Sequence, residues 1–238
     1  MSRASAPAWR TWRHIVKLDP DRPIADEVLA AVGESGTDCV YIGGTQGVTY
    51  EKANALLGRL RRFAPHVPLW QEISEETAVV DGVDGYAIPV VLNASSPEWL
   101  IGAHARAIAK YRSFLDWSKV LVEGYLVLNE AAAVARRTGA RTGLTREEAV
   151  SYAVAGEMLF SLPVIYLEYS GTYGDPALVA DVARHLSQSQ LFYGGGIHTA
   201  AQAGEMGQHA DAVVVGNALY GPEWRQVLEA TIRAAKNA

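Results

Sequence analysis

The feature that most constrains this chain is an alternation. Eight short runs are nearly continuously apolar, at 13–19, 39–44, 68–73, 85–93, 124–129, 164–170, 191–197 and 212–217. Helix-length amphipathic stretches lie between most of them, at 25–34, 51–63, 97–115, 145–162, 176–186 and 200–206, and 223–236 closes the chain. A strand covered on both faces has no solvent-facing positions to fill with polar residues, so such runs predict parallel strands sandwiched by helices. The repeated strand–helix order predicts an α/β chain, a (β/α)8 TIM barrel, over an open doubly wound sheet. The run ends decide between the two. They carry Lys17 and Asp19, Gly43-Gly44-Thr45, Glu72, Asn93, Asn129, Glu168 and Ser170, Gly194-Gly195-Gly196, and Gly216-Asn217, whereas the starts are bland. In a barrel these ends converge on one face, where active sites are built. The third connection is irregular. Only eleven residues, 74–84, join the third and fourth runs, and they include Asp81-Gly82-Val83-Asp84. The helix between strands 3 and 4 is therefore expected to be missing or replaced by a loop, leaving a gap in the outer wall where an apolar molecule can lie. No linker or composition shift cuts the chain, so 1–238 reads as a single domain.

Composition removes several function classes. With 49% apolar residues the chain can bury a core and is not disordered. Lys plus Arg total 21 against 26 Asp plus Glu, a formal net charge of −5, which is not the basic surplus of a nucleic-acid binder. The one cysteine, Cys39, has no partner within the chain, and a reducing compartment is expected. The N-terminal stretch through Trp9 has no apolar leader, and no window approaches the ~18 apolar residues of a spanning helix, so a cytoplasmic setting is expected.

Three constellations can carry chemistry. The first is the pair of glycine-bearing ends, Gly194-Gly195-Gly196 and Gly216-Asn217, after strands seven and eight, where barrels often hold phosphate on backbone N–H groups. Tight turns are the alternative use of such glycines, and Thr199 is positioned to cap the helix that follows the first cluster. The second is Lys17-Leu18-Asp19-Pro20-Asp21 with Thr45. Lys17 and Asp19 share one side of their strand. A carboxylate and a hydroxyl with no thiolate or imidazole pair suit a hard cation such as Mg2+, which shares its coordination with substrate phosphates. Asp19 as a salt-bridge partner of Lys17 is the competing reading. The third is Tyr166-Leu167-Glu168-Tyr169-Ser170-Gly171. Alternation puts Tyr166, Glu168 and Ser170 on one face and Leu167 and Tyr169 on the other, so Glu168 is either a general base with a raised pKa or a structural carboxylate.

Other signals carry less. The six histidines show no metal spacing, and no dinucleotide or Walker loop is present. The Arg136-Arg137 stretch reads as a loop after strand five, either clamping a diphosphate or simply solvated. The DDxxD pattern of helical isoprenoid synthases is absent.

Six ordered motifs carry a resemblance that spans essentially the whole chain: Trp12-Arg13-His14-Ile15-Val16-Lys17-Leu18-Asp19-Pro20, Glu34-Ser35-Gly36-Thr37-Asp38, Ile42-Gly43-Gly44-Thr45-Gln46-Gly47-Val48-Thr49, Tyr166-Leu167-Glu168-Tyr169-Ser170-Gly171, Phe192-Tyr193-Gly194-Gly195-Gly196-Ile197 and Val215-Gly216-Asn217-Ala218. The sequence resembles the geranylgeranylglyceryl and heptaprenylglyceryl phosphate synthases, and looks closest to their bacterial branch. The resemblance implies Mg2+-assisted transfer of a polyprenyl group from its diphosphate to the 3-hydroxyl of sn-glycerol 1-phosphate. It carries Lys17, Tyr166, Leu167, Glu168, Tyr169, Ser170, Gly171, Gly196, Gly216 and Asn217 over to the glycerol phosphate, Asp19 and Thr45 to the metal, and Glu168 to the base. Trp99, Ala103, Ala107 and Tyr111 recur at i+4 and read either as a stripe packed on the barrel or as a prenyl groove. In the family a small residue matching Ala107 looks like the long-chain type, which favours a heptaprenyl over a geranylgeranyl donor. A homodimer is implied as well. An apolar donor drawn from a lipid surface implies transient peripheral membrane contact.

The rivals are transfer to 3-phosphoglycerate, kept open by the Arg136-Arg137 stretch, a phosphosugar isomerase or aldolase, for which Glu168 has no acid–base partner, and a barrel that only binds isoprenoid lipids.

Overall fold

The computed structural model describes residues 7–238; the first six residues of the N-terminal stretch lie outside that range. Eight parallel strands close into a barrel in chain order: β1 (His14–Leu18), β2 (Cys39–Ile42), β3 (Leu69–Glu72), β4 (Gly85–Val91), β5 (Val120–Val127), β6 (Val164–Glu168), β7 (Gln190–Gly194) and β8 (Ala212–Val215). The outer layer consists of α1 (Asp26–Glu34), α2 (Tyr50–Phe63), α3 (Gly102–Tyr111), α4 (Ala133–Thr138), α5 (Arg146–Phe160), α6 (Pro176–His185), α7 (Ala200–Gly207) and α8 (Trp224–Lys236). Between β3 and β4 there is only a short 3-10 turn, Glu76–Ala78, as the length of that connection predicts.

Alternation along the strands divides two cores. Val16, Leu18, Val40, Ile42, Leu69, Ile165, Leu167, Val213 and Val215 face the helices. Ile15, Tyr41, Trp70, Tyr125, Tyr166, Phe192 and Val214 face the barrel axis. Trp12 closes the lower end, its ring meeting Trp70 edge-on at 5.2 Å and Tyr41 at 6.0 Å. Truncating so large a buried ring costs about 3–5 kcal/mol, which makes this plug part of the fold's stability. Above this aromatic floor, the cavity of the barrel lies at the carboxyl ends of the strands.

Three local readings need correction. β5 starts at Val120, four residues before the run at 124–129, because Glu123 points inward within the strand and breaks the apolar pattern without breaking the ladder to Pro89 and Val164. The stretch 97–115 is not one helix: a 3-10 turn, Pro97–Trp99, is followed by an extended φ of −145° at Ile101, and α3 restarts at Gly102. Arg136 and Arg137 lie not on a loop but in the last turn of α4, which Gly139 ends at φ +61°.

Candidate active site

The strand ends surround a cavity of about 630 Å³ that runs from the glycines after β7 and β8, past Lys17, Glu72 and Glu168, to the inner side of α3. Its centre is an ionic and aromatic network. Lys17 Nζ donates to both carboxylate oxygens of Glu72, at 2.8 and 2.7 Å, and lies 3.5 Å from the Tyr125 hydroxyl. The Tyr125 hydroxyl donates to Glu72 Oε2 at 2.6 Å. Tyr125 stacks on Tyr166 with centroids 4.4 Å apart, and Lys17 Nζ lies 5.9 Å from each ring. The cation of Lys17 is therefore held by Glu72, two strands away on β3, and the alternative pairing with Asp19 does not form. Burial opposes the charge on Lys17, but the neighbouring Glu72 and Glu168 outweigh it and hold the ammonium pKa above its usual value.

Glu168 ends β6 facing the cavity, with Oε1 accepting from the Ser170 backbone N–H at 2.5 Å. Burial raises its pKa; Lys17 pulls it down and Glu72 pushes it up. A carboxylate of raised basicity, turned into a cavity and fixed by one backbone donor, is equipped to take a proton from a hydroxyl. Tyr166, Ser170 and Gly171 share the cavity with it, whereas Leu167 and Tyr169 project outward into the helical layer, as alternation dictates.

Gly194 has no Cβ where the Tyr166 hydroxyl lies, so the tyrosine ring can fill that corner. Gly196 sits at φ +58°, and a side chain there would run into the backbone of Thr172 and Tyr173. A Cβ on Gly216 would stand 2.9 Å from the Lys17 carbonyl. These glycines satisfy tight backbone packing and also leave the main chain bare towards the cavity. Thr199 caps α7 by accepting from the Gln202 N–H at 3.2 Å. Asn217 opens a short 3-10 turn after β8, and its side-chain oxygen accepts from Arg22 at 2.7 Å.

Asp19 lies at the mouth, half-buried, with Oδ1 accepting only the Asp21 backbone N–H at 2.9 Å; among the described residues it forms no ion pair. Burial raises its pKa. Its carboxylate lies against Gly44, where any side chain would collide with it, next to Thr45 on the cavity wall. Asp21 instead pairs with Lys52 at 2.5 Å. Among the described residues no group of three His, Cys, Asp or Glu side chains converges to hold a metal by itself. A hard cation here would therefore rest on Asp19, Thr45 and oxygens brought by a ligand. That all-oxygen set, with a carboxylate short of counter-charge, fits Mg2+.

On the other side of the cavity Trp99, Ala103 and Ala107 line the wall; Tyr111 does not, and its hydroxyl donates to the Glu76 carbonyl at 2.8 Å. Arg137 spans this wall, with its guanidinium 5.2 Å from the Trp99 ring centroid, paired to Glu75 at 2.6 Å and donating to the Thr45 carbonyl at 2.9 Å. Sequence reasoning gave no role to Glu72, Glu123, Tyr125 or Arg22. Glu72 stood among the polar strand ends, and that position was its only signal. Arg22, which lies over the Tyr220 ring at 3.7 Å, follows Asp19 by three residues and carried none.

Heptaprenylglyceryl phosphate synthase of Geobacillus thermodenitrificans is 49% identical over 211 residues, 89% of this chain and 87% of the relative. The enzyme of the same name from Brevibacillus brevis is 45% identical over 228 residues, 96% and 97% of the two chains. Among solved structures, the (S)-3-O-geranylgeranylglyceryl phosphate synthase of Thermoplasma acidophilum, in complex with its substrate sn-glycerol-1-phosphate, superposes with a TM-score of 0.85 at 21% identity, covering 97% of this chain and 96% of that one. A thiamine phosphate pyrophosphorylase from Pyrococcus furiosus shares the barrel at a TM-score of 0.62 and 12% identity. The PcrB family matches residues 7–237, and this chain belongs to it.

Proposed function

We propose that the protein transfers a heptaprenyl group from its diphosphate to the 3-hydroxyl of sn-glycerol 1-phosphate, giving a prenylglyceryl phosphate ether and diphosphate. The observation that carries this reading is Glu168: a buried carboxylate of raised basicity beside Lys17, between a glycine-lined end and an apolar wall of one cavity. The identity to heptaprenylglyceryl phosphate synthases over most of both chains supports the reaction class and the donor.

In this reading the acceptor's phosphate lies on the bare backbone at Gly196, Gly216 and Asn217, with Arg22 beside it, at the strand seven and eight ends where barrels hold phosphate. The acceptor's hydroxyls lie towards Lys17, Tyr166 and Ser170. Glu168 takes the proton of the 3-hydroxyl as its oxygen bonds to C1 of the prenyl chain and the C1–diphosphate bond breaks, the electron pair leaving with diphosphate. Asp19 and Thr45 would hold Mg2+, whose chemistry is to neutralise charge on the departing diphosphate. Arg137, paired to Glu75, fixes the Thr45 carbonyl on the same side. The chain of the donor runs along Trp99, Ala103 and Ala107, where the methyl side chain of Ala107 leaves the groove open. Leu167, Tyr169 and Gly171 serve through their backbone or by packing.

No helix among the described residues is long and apolar enough to cross a membrane. The donor is instead reached by transient contact with a lipid surface. Support comes from the α3 segment: the helix buries no residue, Ile108 on it, Ile101 just before it and Phe114 beyond its end are exposed, and Arg106, Lys110 and, at its C-cap, Arg112 lie in the same stretch. A homodimer belongs to the same reading, and the exposed apolar run Met158, Leu159 and Phe160 at the end of α5 supports it. The experiment is a product assay with labelled sn-glycerol 1-phosphate and C15, C20 and C35 prenyl diphosphates, with and without Mg2+. Ether product greatest with C35 and dependent on Mg2+ is expected; a C20 preference overturns the donor assignment, and product without divalent metal overturns the role of Asp19 and Thr45.

A further inference from the structure

The inner end of the cavity is short of cations. Among the described residues Lys17 is the one ammonium there, and Glu72 takes hydrogen bonds from it on both carboxylate oxygens. Tyr125 adds a third donor to Glu72, so this carboxylate ties β1 to β5 across the barrel. Glu168 lies close enough to both groups for its proton affinity to respond to each of them. Below them Glu123 is fully buried, accepts from the Tyr41 hydroxyl at 2.9 Å through one oxygen, and among the described residues has no partner for the other. Its pKa is pushed up to about 8, first by burial and then by Glu72. A third carboxyl group thus lies beneath Glu72 and Glu168, with Lys17 as the ammonium beside them. The glycine-lined end is different: bare backbone and Arg22 face the cavity, with no carboxylate on Gly196, Gly216 or Asn217.

We infer that Glu72 is a positioning and specificity residue: it pins Lys17 and Tyr125 at the hydroxyl end of the acceptor and, together with Glu168, makes that end reject an acceptor carrying a carboxylate where glycerol phosphate carries a neutral hydroxymethyl group. The inference rests on the acceptor orientation described above. A free ammonium would welcome a carboxylate, whereas an ammonium already held by two oxygens offers it no counter-charge and leaves it facing two like charges. The same phosphate end is thus combined with a filter that reads the charge of the other end.

The test is calorimetric binding of 3-phosphoglycerate and of inorganic phosphate to the full chain and to Glu72→Gln, with turnover of sn-glycerol 1-phosphate followed in parallel. The variant is expected to bind 3-phosphoglycerate at least about tenfold more tightly, to bind phosphate unchanged, and to turn over glycerol phosphate more slowly because Lys17 and Tyr125 lose their anchor. A merely structural role would weaken all three together, and that result overturns the inference, as does unchanged 3-phosphoglycerate affinity. Glu168→Gln removes the other carboxylate and is expected to tighten 3-phosphoglycerate in the same direction; if Glu72→Gln does not fold, a flat result in Glu168→Gln overturns the inference on its own. Binding is read without turnover, so a parent protein that makes no ether refutes the proposed reaction and leaves the charge filter separately measured.

Discussion

Glu168→Gln separates chemistry from binding more sharply than any other single change. The amide keeps the oxygen that accepts from the Ser170 N–H at 2.5 Å, so the loop 169–171 keeps its anchor. It removes the one group placed to take the hydroxyl proton. General-base catalysis contributes ~10²–10⁴-fold, so kcat should fall by that factor, a barrier increase of about 2.7–5.5 kcal/mol, while KM for sn-glycerol 1-phosphate changes little. The pH profile gives a second readout. Burial raises the Glu168 pKa, and the base works only when ionised, so activity of the parent should drop as pH falls through that raised value. The variant should lose this acidic limb. Stability should move the other way. A carboxyl group whose folded pKa lies above its unfolded one binds more protons when folded, so stability falls as pH rises from the unfolded value, and the full cost is reached above the folded one. The melting temperature of the variant at pH 7.5 should therefore equal or exceed the parent's. Steady-state kinetics from pH 5 to 9 with melting curves provide the data. Full turnover in the variant, or an acidic limb that persists in it, refutes Glu168 as the base.

Three further outcomes follow from named residues. His14 is buried between the Thr37 and Thr231 hydroxyls at 3.0 and 3.1 Å, and burial pushes its pKa down to about 3. The unfolded chain takes the proton first, so this contribution to stability is complete above pH 6.5 and is lost as pH falls towards 3, by about 2 kcal/mol at pH 5; urea melts across this range should show the slope, and His14→Gln should flatten it. Ala107→Phe should narrow the groove and lower kcat/KM for the C35 donor five- to 150-fold, about 1–3 kcal/mol of overpacking, while leaving a C15 donor nearly unaffected. Asp19→Asn should weaken Mg2+ binding, raising the metal concentration for half-maximal rate at least about tenfold, with acceptor KM preserved; an unchanged metal titration would remove Asp19 from the cation site.

Much of this was legible because parallel strands covered on both faces leave an apolar signature that helices interrupt at regular intervals. The polar ends of those runs located the mouth, and the eleven-residue third connection correctly announced a missing helix. The alternation Tyr166, Glu168, Ser170 against Leu167, Tyr169 also matches the observed faces. Charges inside the barrel were not legible. Glu123 interrupts an apolar run just as a solvent-facing residue would, and the strand start before it went unread. Glu72 contacts Lys17 from 55 residues away, and no local period reports a pairing inside a closed barrel. The start of α3 and the whole of α4 escape the sequence pattern for a related reason: short helices that wall a cavity have little buried face, so their pattern is weak.

The most direct measurement is the mass and linkage of the lipid made from heptaprenyl diphosphate and sn-glycerol 1-phosphate by the intact chain in Mg2+. The account predicts a heptaprenyl ether at the glycerol 3-hydroxyl, with one diphosphate released per ether formed. Heptaprenyl diphosphate recovered unchanged from a protein that nevertheless binds it would contradict the account and leave an isoprenoid-binding barrel in place of a transferase.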